Sequence, residues 1–478
     1  MSLLAVFEVL GLWNERERPK PTQDSISQQL SQIKRLPKEI LLVIVEECCA
    51  NVDNSSYSWM QHSQELFRQF LLCTLLRVCR TWYHHLLPDL YKTVAPKNDT
   101  SYLQLIDTLQ SDASLGSLVK NLKFPYYYSW FHREGGWIFG RSTSRLPRLL
   151  VALCPNLEEL TLHLPPPPTV LPFTEILTSL PSLDLIHNLK SLELSGGAYM
   201  KEVLQHLLDP NLVLPQLEQL RLNRVCLSDL LLWPTMPRLR RIIIETRYQD
   251  DVQNLHKLLH LYKTTLRSLQ IHRHQPEVFR CGNSSPGGDE SLFHLHSLGE
   301  DVFKGYLDVI YRSLAIVEDT LEDLTFSYPD YCHFAPDKQD PSWRNRNLSQ
   351  MTSLTTLRIM SSLIYMDILL RPPPRLHTLV LFIHYEQSEL WTLSDIFQRL
   401  PITLKTVIFQ VDTGFTGSEW TALYERFKGP YLMQDGTSRT LEVAEFQDST
   451  LKLFADRGIS AKIERFAHYQ LAQKWILL

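Results

Sequence analysis

The sequence predicts an α/β chain in which a short three-helix module near the N-terminus precedes an irregular solenoid of short parallel strands and helices. Three observations predict it. The chain has 478 residues, more than one compact core holds at about 100 to 200 residues per domain, so several domains or a repeat array are expected. Roughly 18% of the residues are Leu while Gly numbers only 17, which disfavours collagen-like and low-complexity chains and calls for a fold that uses Leu periodically. From about residue 115 onward a pattern Leu-x-x-Leu-x-Leu, with Ile, Val or Phe substituting, recurs.

Charge and cysteine usage narrow the functional classes. The 48 Lys and Arg nearly cancel the 52 Asp and Glu, for a net charge of -4, leaving no global field to draw nucleic acid or an anionic membrane, and neither is expected as a partner. The eight cysteines form no Cys-x-x-Cys pair and read as reduced, mostly buried thiols. The apolar stretch from Leu3 to Trp13 has no preceding basic residue, contains Glu8 and ends in Asn-Glu-Arg-Glu-Arg, which does not describe a signal peptide. No run approaches the roughly 18 apolar residues of a membrane span. A soluble, cytoplasmic and/or nuclear protein is expected.

Residues 1–32 read as a flexible leader, because 14–32 are polar, rich in Gln, Ser and charge, and carry Pro19 and Pro21. A helical module is expected over 33–95. Leu36-Pro37-Lys38-Glu39-Ile40 places Pro at a helix start, where its missing N–H costs nothing, and an acid in the first turn, where the dipole favours it. The helix then runs to about Cys49, and its apolar residues (Ile40, Leu41, Val43, Ile44, Val45, Cys48) cover more than one stripe. Two surfaces therefore need burial. A polar break at Asn51–Ser56 is followed by a second helical pattern through Leu66, Phe67, Phe70, Leu71 and Leu75 and a third around Val78-Cys79-Arg80-Thr81-Trp82, closing at Leu87-Pro88-Asp89-Leu90-Tyr91.

These residues resemble the F-box family, in particular its fungal type, whose pattern is Leu-Pro-x-Glu-Ile, a helical stretch, Val-Cys-Arg-x-Trp and, in many fungal members, a Pro-x-Leu-Tyr ending. The order matches over about 55 residues. The spacing departs, with 50–65 standing as an insertion between the first two helices. The resemblance implies a three-helix unit that docks on the Skp-type adaptor of a cullin ubiquitin ligase, with the adaptor contact falling on Leu36, Pro37, Ile40, Ile44, Val78, Cys79 and Trp82. The alternative for Ile44 and Val78 is that they are internal core of the three helices. So short a unit buries little apolar surface by itself, so a leftover apolar face is either an intrachain contact or a partner site.

Over 100–410 the clearest repeat copies begin at Leu157, Leu189, Leu217 and Leu266, followed by Leu239, Leu321, Leu354, Leu376 and Leu404, with Val119 opening a degenerate first copy. In each, the alternation at the last three positions is a short strand with apolar residues facing one way. The core should hold Leu160, Leu162, Leu192, Leu194, Leu220 and Leu222, and Glu158, Glu159, Lys190, Glu193, Glu218 and Arg221 should face solvent. Spacings run from 22 to 55 residues, and the longest, from Leu266 to Leu321, reads as hiding a poorly patterned unit. Helices are expected between strands, for example at Tyr102–Leu109, Arg145–Leu153, Phe173–Leu180, Val203–Leu208, Val252–Tyr262 and Val302–Leu314. A Pro two residues before the first Leu (Pro155, Pro215, Pro237, Pro374) resets the chain for the strand.

This region looks like the leucine-rich repeat family in its irregular form, although the usual Asn or Cys after the motif is replaced by Pro165, Gly197, Val225 and His274. The side-chain ladder of that family is therefore missing. Residues 411–478 lose the motif and alternate helix-like stretches, as expected of a C-terminal capping region. A target protein is expected on the concave face, at positions such as Thr161, Glu193, Arg221, Asn223, Thr325 and Arg358, of which Arg221 and Arg358 are the leading candidates. The aromatic loop Tyr126-Tyr127-Tyr128-Ser129-Trp130 is either a recognition surface, with Tyr126, Tyr127 and Trp130 next in line, or a flap packed on the solenoid end.

No phosphate-binding loop, dinucleotide turn, His-Glu-x-x-His helix or Gly-x-Ser-x-Gly elbow occurs in the chain. Neither His256 with His260 nor His272, His274 and Cys281 makes a persuasive metal set. No catalytic residue, metal ligand or cofactor is nominated. The leading expectation is a non-catalytic substrate receptor of a Skp-cullin-F-box ligase, binding an unknown target protein through the solenoid. Its rival is a repeat scaffold or regulator whose N-terminal helices only cap the solenoid.

Overall fold

The structure, a computed structural model, describes residues 37–50, 60–96, 99–124, 146–163, 186–195, 211–223, 225, 227, 234–246, 254–273, 309–310, 312–327, 348–360, 372–383, 403–412, 431–432, 438–439, 452, 454–456 and 458–466. The chain divides after Leu160 into two compact units. The three expected N-terminal helices are α1 (Lys38–Ala50), α2 (Met60–Leu75) and α3 (Arg80–Lys92). The Pro37 carbonyl accepts the Leu41 N–H at 3.2 Å, so Pro37 caps α1 from one residue outside it. Residues 60–65, read from the sequence as part of an insertion, are instead the first turns of α2.

Spacing dictates the core of this module. Leu41 and Val45 on α1, Leu71, Leu72 and Leu75 on α2, and Trp82 and Leu86 on α3 lie on the inward stripes and form one buried cluster. Ion pairs join the helices at its rim, Lys38 to Asp89 at 2.6 Å and Arg68 to Glu46 at 3.0 Å. Helix α3 runs through Pro88 to Lys92, inside the expected bounds of the module. An interior Pro costs about 3 kcal/mol. Leu86 in the core, Leu90 against it and the Asp89 ion pair all lie within two residues of Pro88 and hold the helix across it.

The rest of the first unit carries β1 (Thr93–Val94), α4 (Asp99–Ser111), α5 (Ala113–Gly116), β2 (Asn121–Phe124) and α6 (Leu146–Ala152). Strand β1, too short to show a periodicity in the sequence, pairs in parallel with β2 through Thr93 and Asn121. Tyr102 of α4 stacks on Phe124 of β2 with ring centroids 5.8 Å apart. Gly116 ends α5 against the Leu153 carbonyl, where a β-carbon would collide. Strand β3 (Glu159–His163) straddles the division of the chain.

In the second unit each expected repeat supplies a strand: β4 (Ser191–Ser195), β5 (Gln219–Asn223), β6 (Arg241–Thr246), β7 (Ser268–Arg273), β8 (Asp323–Ser327), β9 (Thr356–Met360), β10 (Thr378–Ile383) and β11 (Thr406–Asp412). They lie side by side in chain order, all parallel. Leu192, Leu220, Ile242, Leu269, Leu324, Leu357, Leu379 and Val407 are in register and buried as one row. Leu160, Leu162, Leu194 and Leu222 are buried as the alternation requires. Helix α7 (Leu255–Tyr262) lies between β6 and β7 with Leu255, Leu258, Leu259 and Tyr262 buried, and a single 3-10 turn at Ala315–Val317 precedes β8.

Two expectations change. Strands β7 and β8 are direct neighbours, so the long interval from Leu266 to Leu321 adds no rung to the sheet. In the C-terminal region β12 (Tyr431–Leu432) and β13 (Ser438–Arg439) pair antiparallel, and β14 (Ser460–Phe466) adds a parallel strand outside β11 where helix-like stretches were expected. The tail motif Ile459-Ser460-Ala461-Lys462-Ile463 alternates but carries no Leu, which hid it.

A backbone ladder joins the rungs where the strands begin. The first variable residue of each motif offers its carbonyl to two consecutive N–H groups of the next rung: Lys190 to Glu218 and Gln219, Glu218 to Arg240 and Arg241, Arg240 to Arg267 and Ser268, Arg267 to Glu322 and Asp323, at 2.8–3.0 Å. A tight turn sets up several of the rungs. Leu217 N–H reaches Leu214 O at 3.3 Å and Leu239 N–H reaches Met236 O at 3.2 Å, with Pro215 and Pro237 at the second turn position, where their fixed φ fits. The buried residue opening the turn (Cys154, Ile186, Leu214, Met236, Met351) is a core position that the sequence motif omits.

Candidate protein-interaction surfaces

On the helical module the inward stripes leave a second, outward apolar set. Ile40 is 46% exposed, Val43 56%, Phe70 55% and Tyr83 44%. Ile40 and Val43 are three residues apart on α1 and share a face opposite Leu41 and Val45, the two-sided coverage that the sequence of α1 required. Tyr91, further along α3, has its phenol raised above the usual value by burial, with Tyr83 and Cys73 close enough to add to it.

The residues matched to an adaptor contact are distributed unequally. Pro37 and Ile40 are exposed, and Val78 and Cys79 are half-buried against the core cluster. Trp82 does not stand on the outer face: it is 2% exposed and fills the centre of the three helices, with no hydrogen-bond acceptor at its indole Nε1. A side chain so large on the inward stripe of α3 has nowhere else to go. Leu36 and the side chain of Ile44 lie outside the described residues. Val43, Phe70 and Tyr83 were missed, because no family motif includes them. Their signal was an apolar residue on a helix already provided with a core stripe.

In the second unit, the sheet face opposite the leucines mixes polar side chains with the buried Ile243 and Val380, and it is not open throughout. Arg221 is only 12% exposed; its Nε donates to Glu245 Oε1 at 3.0 Å and lies 3.6 Å from Glu193 Oε1. The expectation that Arg221 faces solvent is therefore corrected, since a buried carboxylate, Glu245, holds it in place. Thr325 is fully buried, and Gln270 and His272 of β7 are buried too, so the middle of this face offers little contact area. Arg241 is lowered below the usual guanidinium value by burial, with Arg358 and Arg221 adding to the shift and Asp323 opposing it. Arg358 is more accessible, with Nη1 2.6 and 2.7 Å from the two carboxylate oxygens of Asp323. Tyr126, Tyr127 and Trp130 lie outside the described residues.

At the edge where the strands begin, the backbone ladder lines up side chains of which the sequence reading named only Lys190 and Glu218, as solvent-facing. Lys190, Glu218, Arg240, Arg267 and Glu322 occupy successive rungs. Arg238 comes from the turn before β6.

Among the described residues no group of three or more His, Cys, Asp or Glu is arranged to hold a metal ion. His256 and His260 are exposed on α7. Of the described thiols Cys73 is exposed, Cys79 intermediate and Cys154 buried, all unpaired, and burial pushes the Cys154 thiol up to about 12. Among the described residues no helix is long and apolar enough to cross a membrane. No family model matches the chain, and no curated protein matches it.

Proposed function

We propose that the chain is a non-catalytic receptor of the F-box type, holding a Skp-type adaptor of a cullin ubiquitin ligase on α1–α3 and a target protein on its parallel sheet, in the cytoplasm and/or nucleus. The observation that carries the reading is the outward set Ile40, Val43, Phe70 and Tyr83 on a module whose core is complete without it. Burying one such aliphatic or aromatic side chain is worth about 1.5–3 kcal/mol, which a partner can collect and the isolated chain does not. The ordered motifs Leu36-Pro37-Lys38-Glu39-Ile40 and Val78-Cys79-Arg80-Thr81-Trp82 support the choice of partner. Function then comes from proximity, because tethering raises the local concentration of a target lysine near the ubiquitin-charged partner.

The scaffold reading has its own support. Strand β1 follows α3 directly and pairs with β2, so the helices run straight into strand structure, as a cap would. Full-length chain and a Skp-type adaptor, mixed and resolved by size-exclusion chromatography, separate the two readings. Co-elution that Ile40→Asp with Val43→Asp abolishes, with circular dichroism unchanged, supports the receptor. Failure to co-elute supports the scaffold.

A further inference from the structure

Strand β14 (Ser460–Phe466) ends the order of parallel strands: it pairs with β11 on one side, and among the described residues no strand lies on the other. Its seven residues include neither Pro nor Gly, so nothing in the backbone blunts this edge. One bond decides which backbone groups reach it. Ser460 N–H donates to the Lys405 carbonyl at 2.9 Å, so Ser460 turns its N–H and C=O toward β11. Alternation along the strand then turns the N–H and C=O of Ala461, Ile463 and Arg465 toward the open edge. Ala461 and Ile463 are in register with Val407 and Phe409 of the leucine row. Lys462 and Glu464 are in register with Ile408 and Gln410 on the opposite face, and Lys462 is exposed.

We propose that this edge pairs with the same edge of a second copy of the chain, antiparallel and centred on Ile463, to give a symmetric dimer. Ser460-Ala461-Lys462-Ile463-Glu464-Arg465-Phe466 is complementary to its own reverse. In that register Ile463 falls opposite the partner's Ile463 and Ala461 opposite the partner's Arg465, the residues whose backbone groups point outward, so these form the hydrogen-bonded pairs. Lys462 falls opposite the partner's Glu464, and Glu464 opposite the partner's Lys462. Both are non-hydrogen-bonded pairs, where Cα atoms approach to about 4.5 Å and opposite charges attract best. Sliding one strand by two residues sets Lys462 against the partner's Lys462, or Glu464 against the partner's Glu464, so like-charge repulsion fixes the register. A two-fold pair uses up both edges, and association closes at two copies. The inference goes beyond the receptor reading and stands without it.

The test is sedimentation velocity of the full chain over a concentration series. The unmodified chain should behave as a reversible monomer-dimer mixture with a limiting mass of twice 55.7 kDa. Lys462→Glu and Glu464→Lys each turn both attractive pairs repulsive and should each weaken dimerisation by about tenfold or more. Mixed in equal amounts, the two variants offer complementary edges and should recover the dimer as a heterodimer, which also shows that both are folded. A chain that stays monomeric throughout the series overturns the proposal and leaves the edge to an extended segment of a different protein. Single variants that dimerise like the unmodified chain, a mixture that stays monomeric, or assembly beyond two copies overturns it as well.

Discussion

Arg221 reaches diagonally across the sheet from β5 to Glu245 on β6, donating from Nε to a carboxylate that is only 3% exposed, while Glu193 stands on its other side. The pair fixes what a substitution there reports. Arg221→Glu would set a third carboxylate between two existing ones and take from Glu245 the guanidinium it is paired with, costing about 3–5 kcal/mol. Urea unfolding should show a midpoint lowered accordingly. Arg358→Glu disturbs a more exposed pair and should cost only about 1 kcal/mol. Arg358 is therefore the position at which altered target capture can be separated from altered folding.

On the helical module, core and outer face should respond in opposite ways. Trp82→Ala removes the centre of the buried cluster and should destabilise the module by about 3–5 kcal/mol, visible in thermal unfolding, with any adaptor binding lost as a consequence. Ile40→Asp and Val43→Asp should leave the unfolding transition within about 0.5 kcal/mol of the unmodified chain, since both side chains already face water.

Gly116→Ala sets two effects against each other. In a helix, Ala is favoured over Gly by about 1 kcal/mol. Here the added methyl would meet the Leu153 carbonyl, a backbone atom that moves only with its segment, and overpacking of this kind costs about 1–3 kcal/mol. The clash should win, and chemical denaturation should find the variant less stable.

Alkaline pH should weaken the fold. The thiol of Cys154 is pushed up from 9.0 to about 12 by burial, and burial also raises Tyr262, whose hydroxyl donates to the Pro234 carbonyl at 2.6 Å. Both groups hold their protons more tightly when folded, so their contribution is fully present below the unfolded values and is lost as pH rises. For Cys154 the loss falls between pH 9 and about 12 and reaches about 2 kcal/mol by pH 10.5. Urea midpoints measured at pH 7, 9 and 10.5 should decline, and Cys154→Ala should flatten part of that decline. An unchanged slope in the variant would remove Cys154 from the account.

The repeats were legible because their burial follows a period of two, and a Leu at each core position leaves one register that hides the apolar set. Strand β14 escaped because Ala461 stands where the other rungs have Leu, Ile or Val. The buried pairing of Arg221 was illegible for a different reason: its partner is on another strand, 24 residues away, and alternation assigns a side to each residue but not a neighbour. Trp82 shows the same limit on a helix, since a family motif gives its position but not which stripe of α3 turns inward.

The two-donor hydrogen bonds at the start of each strand also govern how the chain tolerates changes in length. Strands β5 and β6 are reached across 22 residues between their first leucines, β7 and β8 across 55, yet both pairs adopt the same register and the same carbonyl geometry. Loop closure grows only logarithmically with length, so the longer connection costs about 0.8 kcal/mol more than the shorter one. Segments can thus be gained or shed between rungs with little thermodynamic consequence. Homologous chains can differ by tens of residues in the β7–β8 connection while keeping an identical ladder, and a folded domain spliced there would be carried without disturbing the strands on either side.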